Sequence, residues 1–91
     1  MRHLTSLFLL ALLFSCSSFA SPVRVAFVYV TPVGDAGWTY SHELGRRHLD
    51  QVFSDQVETQ FFENVPEGRQ ARKLFGELAQ EFDMIFSTSW G

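Results

Sequence analysis

The residues best suited to bind a ligand lie in three short segments, and each segment follows an apolar run. "TPVGDAGWTY" follows "VRVAFVYV", "ENVPEG" follows "QVETQFF", and "STSWG" follows "DMIF". Two of these segments carry a tryptophan, Trp38 and Trp90, and all three carry short polar side chains or carboxylates. Aromatic walls with a few polar anchors are typical of small-molecule sites. The competing explanation for Trp38 is that it packs at the start of a helix.

Motifs for catalysis, cofactors and metals are missing from the sequence. The glycines after the first apolar run lack the G-x-G-x-x-G spacing, and no phosphate loop, nucleophile elbow or H-E-x-x-H helix occurs. His42 and His48 are six residues apart, which is the wrong spacing for shared metal ligation on a helix. Asp35 and Glu63 could form an acid/base pair, but helix capping and ligand hydrogen bonding explain them more simply. The sequence therefore predicts a protein without enzymatic activity, cofactor or metal.

Charge and composition indicate a globular protein that does not bind nucleic acid. The 91 residues are 46% hydrophobic and 19% charged, with a formal net charge of −3. The basic residues cluster only at Arg46–Arg47 and at Arg69, Arg72 and Lys73, where glutamates are interleaved. We interpret both clusters as solvated helix faces, since binding to nucleic acid draws on many phosphate contacts.

Hydrophobic periodicity predicts the order β-α-β-α-β. The run "VRVAFVYV" is nearly all apolar, as in a central strand of a parallel sheet. The following helix, "WTYSHELGRRHLDQVF", is expected to pack on the sheet through one side. Gly45 on that side would permit close approach, and Asp35 would cap the helix or place a charge in its first turn. The residues predicted on that side are Ser41, Leu44, Gly45, His48, Leu49 and Val52.

The second half of the chain repeats the pattern. "QVETQFF" alternates apolar and polar residues, which predicts an edge strand with one wetter face. The next helix should bury Ala71, Leu74, Phe75, Leu78 and Ala79. "DMIFSTS" forms the third strand. Such alternation gives a parallel sheet with right-handed crossovers, so the three polar segments should meet at its carboxyl edge, where ligands bind.

The first twenty residues read as an export signal rather than as part of the fold. A basic start is followed by an apolar run and then by small residues, the pattern of a secretory signal peptide over residues 1–20. Cleavage after Ala20 would leave a mature protein starting at Ser21. Alternatively, "LFSC" acts as a lipoprotein box, and Cys16 carries a lipid. Since three strands with an open edge do not complete a domain, residues 21–91 are expected to be an N-terminal fragment of a longer protein.

The stretches "VRVAFVYVTPVGDAGWTYSHELGRRHLD", "FFENVPEG" and "DMIFSTSWG" resemble the start of the basic membrane protein family. These are substrate-binding proteins of bacterial ABC transporters, related to purine-nucleoside-binding lipoproteins. The resemblance implies an α/β, type I periplasmic-binding-protein (Rossmann-like) fold, of which this chain holds the first β-α-β-α-β part of the N-terminal lobe.

The resemblance also implies which residues bind the ligand. Trp38 matches the aromatic residue that stacks on the purine, and Trp90 matches a second rim position that is often aromatic. Asp35 and Asn64 fall in matching loops. The "GDAGW" form departs from the nucleoside binders in this loop. We therefore expect a free base such as adenine, or another small polar ligand, as much as a nucleoside.

The function implied is that of a periplasmic solute-binding component of an ABC importer. It would bind a purine base or nucleoside and deliver it to a membrane permease, with no nucleic acid as partner. The lipoprotein alternative would anchor it to the membrane at Cys16. Two other functions remain open: a sensory binding protein of the same fold, or a truncated remnant without function.

Overall fold

The computed structural model describes residues 21–89, so the predictions for residues 1–20, Cys16 and Trp90 lie outside the described residues. Five elements follow one another in the predicted order. They are β1 (Val23–Val28), α1 (Trp38–Val52), β2 (Val57–Phe62), α2 (Arg69–Leu78) and β3 (Met84–Ser87). The prediction of an α/β fold with the order β-α-β-α-β is confirmed. The architecture is that of the first part of a type I periplasmic-binding-protein lobe.

The three strands form one parallel sheet in the order β2-β1-β3. Val25 of β1 pairs with Thr59 on one side and with Met84 on the other. The central place of β1 and the edge position of β2 were both predicted correctly. Apolar residues on both faces of β1 account for its place, since a central parallel strand is covered by helices on both sides.

The hydrophobic core lies between the sheet and α2. Ala26 and Val28 of β1 pack there with Leu78 of α2 and Phe82. The Phe82 ring lies edge-on to Phe62, with ring centroids 6.1 Å apart. The predicted face of α2 is confirmed at four of its five residues, because Ala71 and Leu78 are buried and Leu74 and Phe75 are half-buried. Ala79 was predicted wrongly, since it is exposed and follows the helix as its C-cap.

Helix α1 lies on the opposite face and contacts the sheet through polar side chains. Successive residues of an extended strand point to opposite faces of the sheet. Val28 packs in the core on the α2 side, and the next residue, Tyr29, donates a hydrogen bond to Glu43 of α1, so α1 lies on the other face. The buried residues of α1 are Thr39 and Glu43. The predicted apolar face was therefore wrong, and its members Ser41, Leu44, Gly45, His48 and Val52 are exposed, with Leu49 half-buried.

Three further expectations for α1 were also wrong. Gly45 does not mediate close approach, because a Cβ atom built there meets no atom within 4 Å. The N-cap is Gly37 rather than Asp35, and no side chain caps the helix. Arg46 is not a solvated residue, since its side chain is only 12% exposed, whereas Arg47 is exposed as expected.

The prediction of a solvated basic face on α2 is confirmed, because Arg69, Arg72 and Lys73 are all exposed.

On the α1 side, β3 is only partly covered. Phe86 and Met84 are 51% and 47% exposed, and the ring of Phe86 lies 5.3 Å from that of Phe27. The two faces of β3 thus differ, because its α2 side joins the core. Within residues 21–89, no helix has the length and apolar character needed to cross a membrane.

Candidate functional site

The loops that follow β1 and β2 are joined to each other at the carboxyl edge of the sheet. The Tyr29 amide donates to the Phe62 carbonyl at 2.8 Å, and the Val65 amide donates to the Tyr29 carbonyl at 2.9 Å. One step further, the Asn64 amide donates to the Thr31 carbonyl at 3.2 Å. These bonds extend the β1–β2 ladder beyond the strands. Two of the three predicted ligand segments therefore form one surface.

Glu63 fixes the middle of the β1–α1 loop. Its Oε2 accepts a hydrogen bond from the Val33 amide at 2.7 Å. This contact gives the carboxylate a local structural partner, so the suggested acid/base pair with Asp35 finds no support in the described residues. Asn64 beside it adopts φ 58°, a left-handed conformation that asparagine tolerates better than most residues.

The structure places Trp38 at the first position of α1, on the carboxyl edge. Its indole is 53% exposed and lies edge-on to His42, with ring centroids 4.6 Å apart. Such exposure argues against the packing explanation, since a core residue would lose most of its surface to neighbours. Asp35 and Asn64 are also exposed. In residues 21–89 no side-chain hydrogen bond joins these three residues, although their loops lie on the same edge.

A pocket of about 300 Å³ lies at the same edge, on the side of α2. It opens between the ends of β1 and β3 and the start of α2. The chain passes from β1 to β2 on one side of the sheet and then to β3 on the other side of β1. The pocket therefore lies at the switch point of the strand order, where α/β sheets bind ligands. Its lining is apolar at Val28, Val30, Val65, Ala71 and Phe75, and polar at Glu67, Arg72, Ser87, Thr88 and Ser89, with Gly68.

Sequence reasoning assigned the "STS" part of this pocket to the ligand edge but missed the contribution of α2. Arg72 was interpreted only as part of a solvated helix face, and it does line the pocket from its exposed position. Gly68 is the N-cap of α2 and adopts φ 105°, which only glycine adopts readily. The glycine after "ENVPE" was the available signal that the chain turns sharply here.

A buried polar network beneath the edge was not predicted. The Tyr29 hydroxyl donates to Glu43 Oε2 at 2.9 Å, and Arg46 Nε donates to the same oxygen at 2.8 Å. Arg47 Nε adds a longer bond of 3.3 Å to Glu43 Oε1. Tyr29 and Glu43 are both 0% exposed. Arg46 also contacts Oε1 of Glu43 through both Nε and Nη2, so the guanidinium and carboxylate form a two-pronged ion pair.

The network continues toward the far end of α1. Arg46 Nη1 donates to Asp50 Oδ2 at 3.0 Å and to Thr59 Oγ1 at 2.9 Å. The Thr59 hydroxyl in turn donates to Asp50 Oδ1. The guanidinium lies over the Phe61 ring, 4.9 Å from its centroid. Arg46 therefore joins α1 to β2, whereas Tyr29 joins α1 to the end of β1.

Burial and hydrogen bonding fix the protonation states of this network. Burial, and then the bond to Glu43, raise the pKa of Tyr29 well above its ordinary value. For Glu43, burial alone would raise the pKa, but hydrogen bonds from Arg46 and Tyr29 outweigh it and hold the pKa below the usual range. The bond to Glu43 raises the pKa of Arg46. A neutral phenol, a carboxylate and a guanidinium therefore persist near neutral pH, as in a structural ion pair.

Two known proteins are similar in sequence to this chain over part of their length. The chain is 43% identical over 70 residues to a purine-binding protein of Brucella abortus, and 34% identical over 70 residues to a Haloferax volcanii protein named as an ABC transporter glucose-binding protein. Each match covers 76% of this chain but only 20% and 17% of the relatives, so the chain spans about a fifth of their length. No protein-family model matches the chain. Both relatives are named as binding proteins.

Proposed function

We propose that the chain is part of the ligand-binding lobe of an ABC importer's solute-binding protein, and that the ligand is a purine base or nucleoside. The observation that carries this proposal is the half-exposed indole of Trp38 at the carboxyl edge of the sheet. A flat aromatic side chain at that place suits a flat heterocycle, since base–aromatic stacking needs only an accessible ring face. The 43% identity to a purine-binding protein supports the same ligand class.

The finer assignment is to the basic membrane protein family, with a membrane permease as partner. The family assignment is supported by the order of "GDAGW", "ENVPEG" and "TSWG" in the sequence. The permease as partner is supported by the one relative that is named as part of an ABC transporter. A sugar is the second candidate ligand, because one relative is named as glucose-binding. The pocket, which Trp38 does not line, suits either ligand, since apolar walls with hydroxyls, one carboxylate and one guanidinium can hold a small polar ring.

Titration calorimetry of the protein expressed from its complete gene tests the ligand. We expect adenine or adenosine to bind, and Trp38→Ala to weaken that binding by about 1–3 kcal/mol, the range for loss of base–aromatic stacking. The melting temperature should change little, because the indole is 53% exposed. The matched control is Phe53→Ala, which removes an aromatic ring that is 43% exposed just beyond the other end of α1 and should leave affinity unchanged.

Each other outcome has a definite reading. A heat of binding with glucose but not with purines would show that the ligand is a sugar, and the proposed solute-binding function would stand. Heat with neither class of ligand would remove the basis of the proposal. Equal loss of affinity in the Trp38 and Phe53 variants would show that the indole has no specific role.

We also propose that residues 1–20 direct export to the periplasm. The support is the basic start, apolar run and small residues before Ser21. Mass spectrometry of a periplasmic extract should find Ser21 as the first residue. A lipid on Cys16 would show membrane anchoring instead, and an intact Met1 in the cytoplasm would contradict both forms of export.

A further inference from the structure

The first turn of α1, which carries Trp38, is not held by a helix cap. Its N-cap is Gly37 at φ 97° and ψ −164°, and no side chain accepts from the free amides. A polar N-cap side chain typically stabilises a helix end by accepting from one of its free amides. Without one, this turn must be held by contacts with the sheet if the indole is to keep a fixed direction.

Two side-chain links supply those contacts. The hydroxyls of Thr31 and Thr39 are hydrogen-bonded, which connects the β1–α1 loop to the residue next to Trp38. One turn later, the Tyr29 hydroxyl donates to Glu43 at 2.9 Å. Thr39, Tyr29 and Glu43 are at most 3% exposed. The sheet-facing side of the first two turns is therefore fixed by buried or half-buried polar bonds, whereas the start of the helix presents the indole to solvent.

Tyr29 is a rigid starting point for this support. Its amide and carbonyl are both bonded to the β2 side of the sheet, at Phe62 and Val65. Its ring stacks on Phe61 with centroids 6.1 Å apart. The phenol therefore has little freedom to move, and its bond to Glu43 holds α1 at a fixed position relative to the sheet edge.

We propose that Tyr29, acting through Glu43, is a positioning residue for ligand binding. Its bond to Glu43 fixes α1 on the sheet one turn after Trp38, and together with the Thr31–Thr39 bond it sets the direction in which Trp38 presents its indole. The inference rests on the proposed stacking role of Trp38 and adds a second residue that acts on the ligand without touching it.

The network itself provides a matched control at the far end of α1. Thr59 bonds to Arg46 and Asp50, two to three turns from Trp38. Tyr29→Phe and Thr59→Val each remove one hydroxyl from the same network with little change of shape. Both variants should lose stability to a similar extent, because each loses the hydrogen bonding of one hydroxyl group. Only Tyr29→Phe removes a bond between the sheet edge and the half of α1 that carries the indole, while the Thr31–Thr39 bond stays in place.

The first experiment measures adenine affinity in the complete protein, well below the melting temperature. We expect Tyr29→Phe to weaken binding about three- to tenfold, within the range of measured couplings between neighbouring residues, and Thr59→Val to change it less than twofold. In a Trp38→Ala background, Tyr29→Phe should have no further effect. Equal losses in the two single variants, or an undiminished effect without Trp38, would overturn the proposal.

The second experiment needs no ligand and separates this inference from the proposed function. In a variant in which every tryptophan except Trp38, Trp90 among them, is replaced by phenylalanine, the fluorescence anisotropy decay reports the motion of the Trp38 indole. Tyr29→Phe should increase that motion and Thr59→Val should not. If the protein binds no purine, the proposed function fails, and unchanged anisotropy in Tyr29→Phe would independently refute the positioning role.

Discussion

Replacing Glu43 with alanine should lower the free energy of unfolding by about 3–5 kcal/mol, the usual loss when one partner of a buried ion pair is removed. The Glu43 side chain is 1% exposed, and that of Arg46 is 12% exposed. The variant would leave a buried guanidinium and the Tyr29 hydroxyl without their main acceptor. Urea denaturation followed by circular dichroism measures the loss. Because small domains have only about 5–15 kcal/mol in total, this loss removes a large part of the stability.

Glu58→Ala is the matched control for this prediction. Glu58 forms a 3.9 Å ion pair with Arg24, but the two side chains are 64% and 42% exposed. Exposed pairs contribute only about 0–1 kcal/mol, so this variant should retain nearly the full stability. A Glu43 variant as stable as the Glu58 variant would contradict the buried ion pair. Glu43→Gln, which keeps the shape and one acceptor oxygen, should recover part of the loss.

Phe82→Ala should lower stability by about 3–5 kcal/mol, as is typical when a core aromatic ring is removed. Phe82 is 9% exposed and belongs to the buried cluster with Ala26, Val28 and Leu78. Its ring also lies under the Arg24 guanidinium, 4.8 Å from the centroid. The variant would open a cavity between the sheet and α2, and both thermal and urea unfolding should register it.

Phe86→Ala removes the same side chain four residues later and provides the comparison. Phe86 is 51% exposed and has its one aromatic contact in the described residues with Phe27. Its loss should cost about 1 kcal/mol or less, in keeping with one exposed aromatic pair. If Phe86→Ala destabilised this chain as much as Phe82→Ala, the assignment of the core to the α2 side of β3 would be wrong.

The sequence was sufficient to predict the strands and α2 because their buried positions are apolar. Val25, Ala26 and Val28 identify a central strand, and Leu78 marks the buried side of α2. Helix α1 was mispredicted for the opposite reason. Hydrophobic periodicity assumes that the sheet-facing positions are apolar, but Glu43 lies there as a buried carboxylate. It is paired with Arg46 three residues later and accepts a hydrogen bond from Tyr29 at the sheet edge, and a pattern of apolar residues does not show such a pair.

The candidate site was predictable only where it follows the ends of strands. Trp38 lies at the carboxyl edge because parallel strands all end there, and this placement needed only the strand assignments. The pocket combines Val30, Arg72 and Thr88 from separate segments, and it arises because α2 begins beside the gap between β1 and β3. Its existence depends on the geometry of packing, for which Arg72 alone gave no signal.

The position of β1 in the sheet also affects how the chain folds. Of these three strands β1 is synthesised first. Its two edges are paired only after Thr59 of β2 and then Met84 of β3 have been synthesised, since these residues pair with Val25. Ribosomes add only about 5–20 residues per second, and contacts between distant residues form slowly. The strand that organises the sheet is thus the one exposed longest during translation. A pause between β2 and β3 would lengthen the time in which its open edge could pair with another nascent chain.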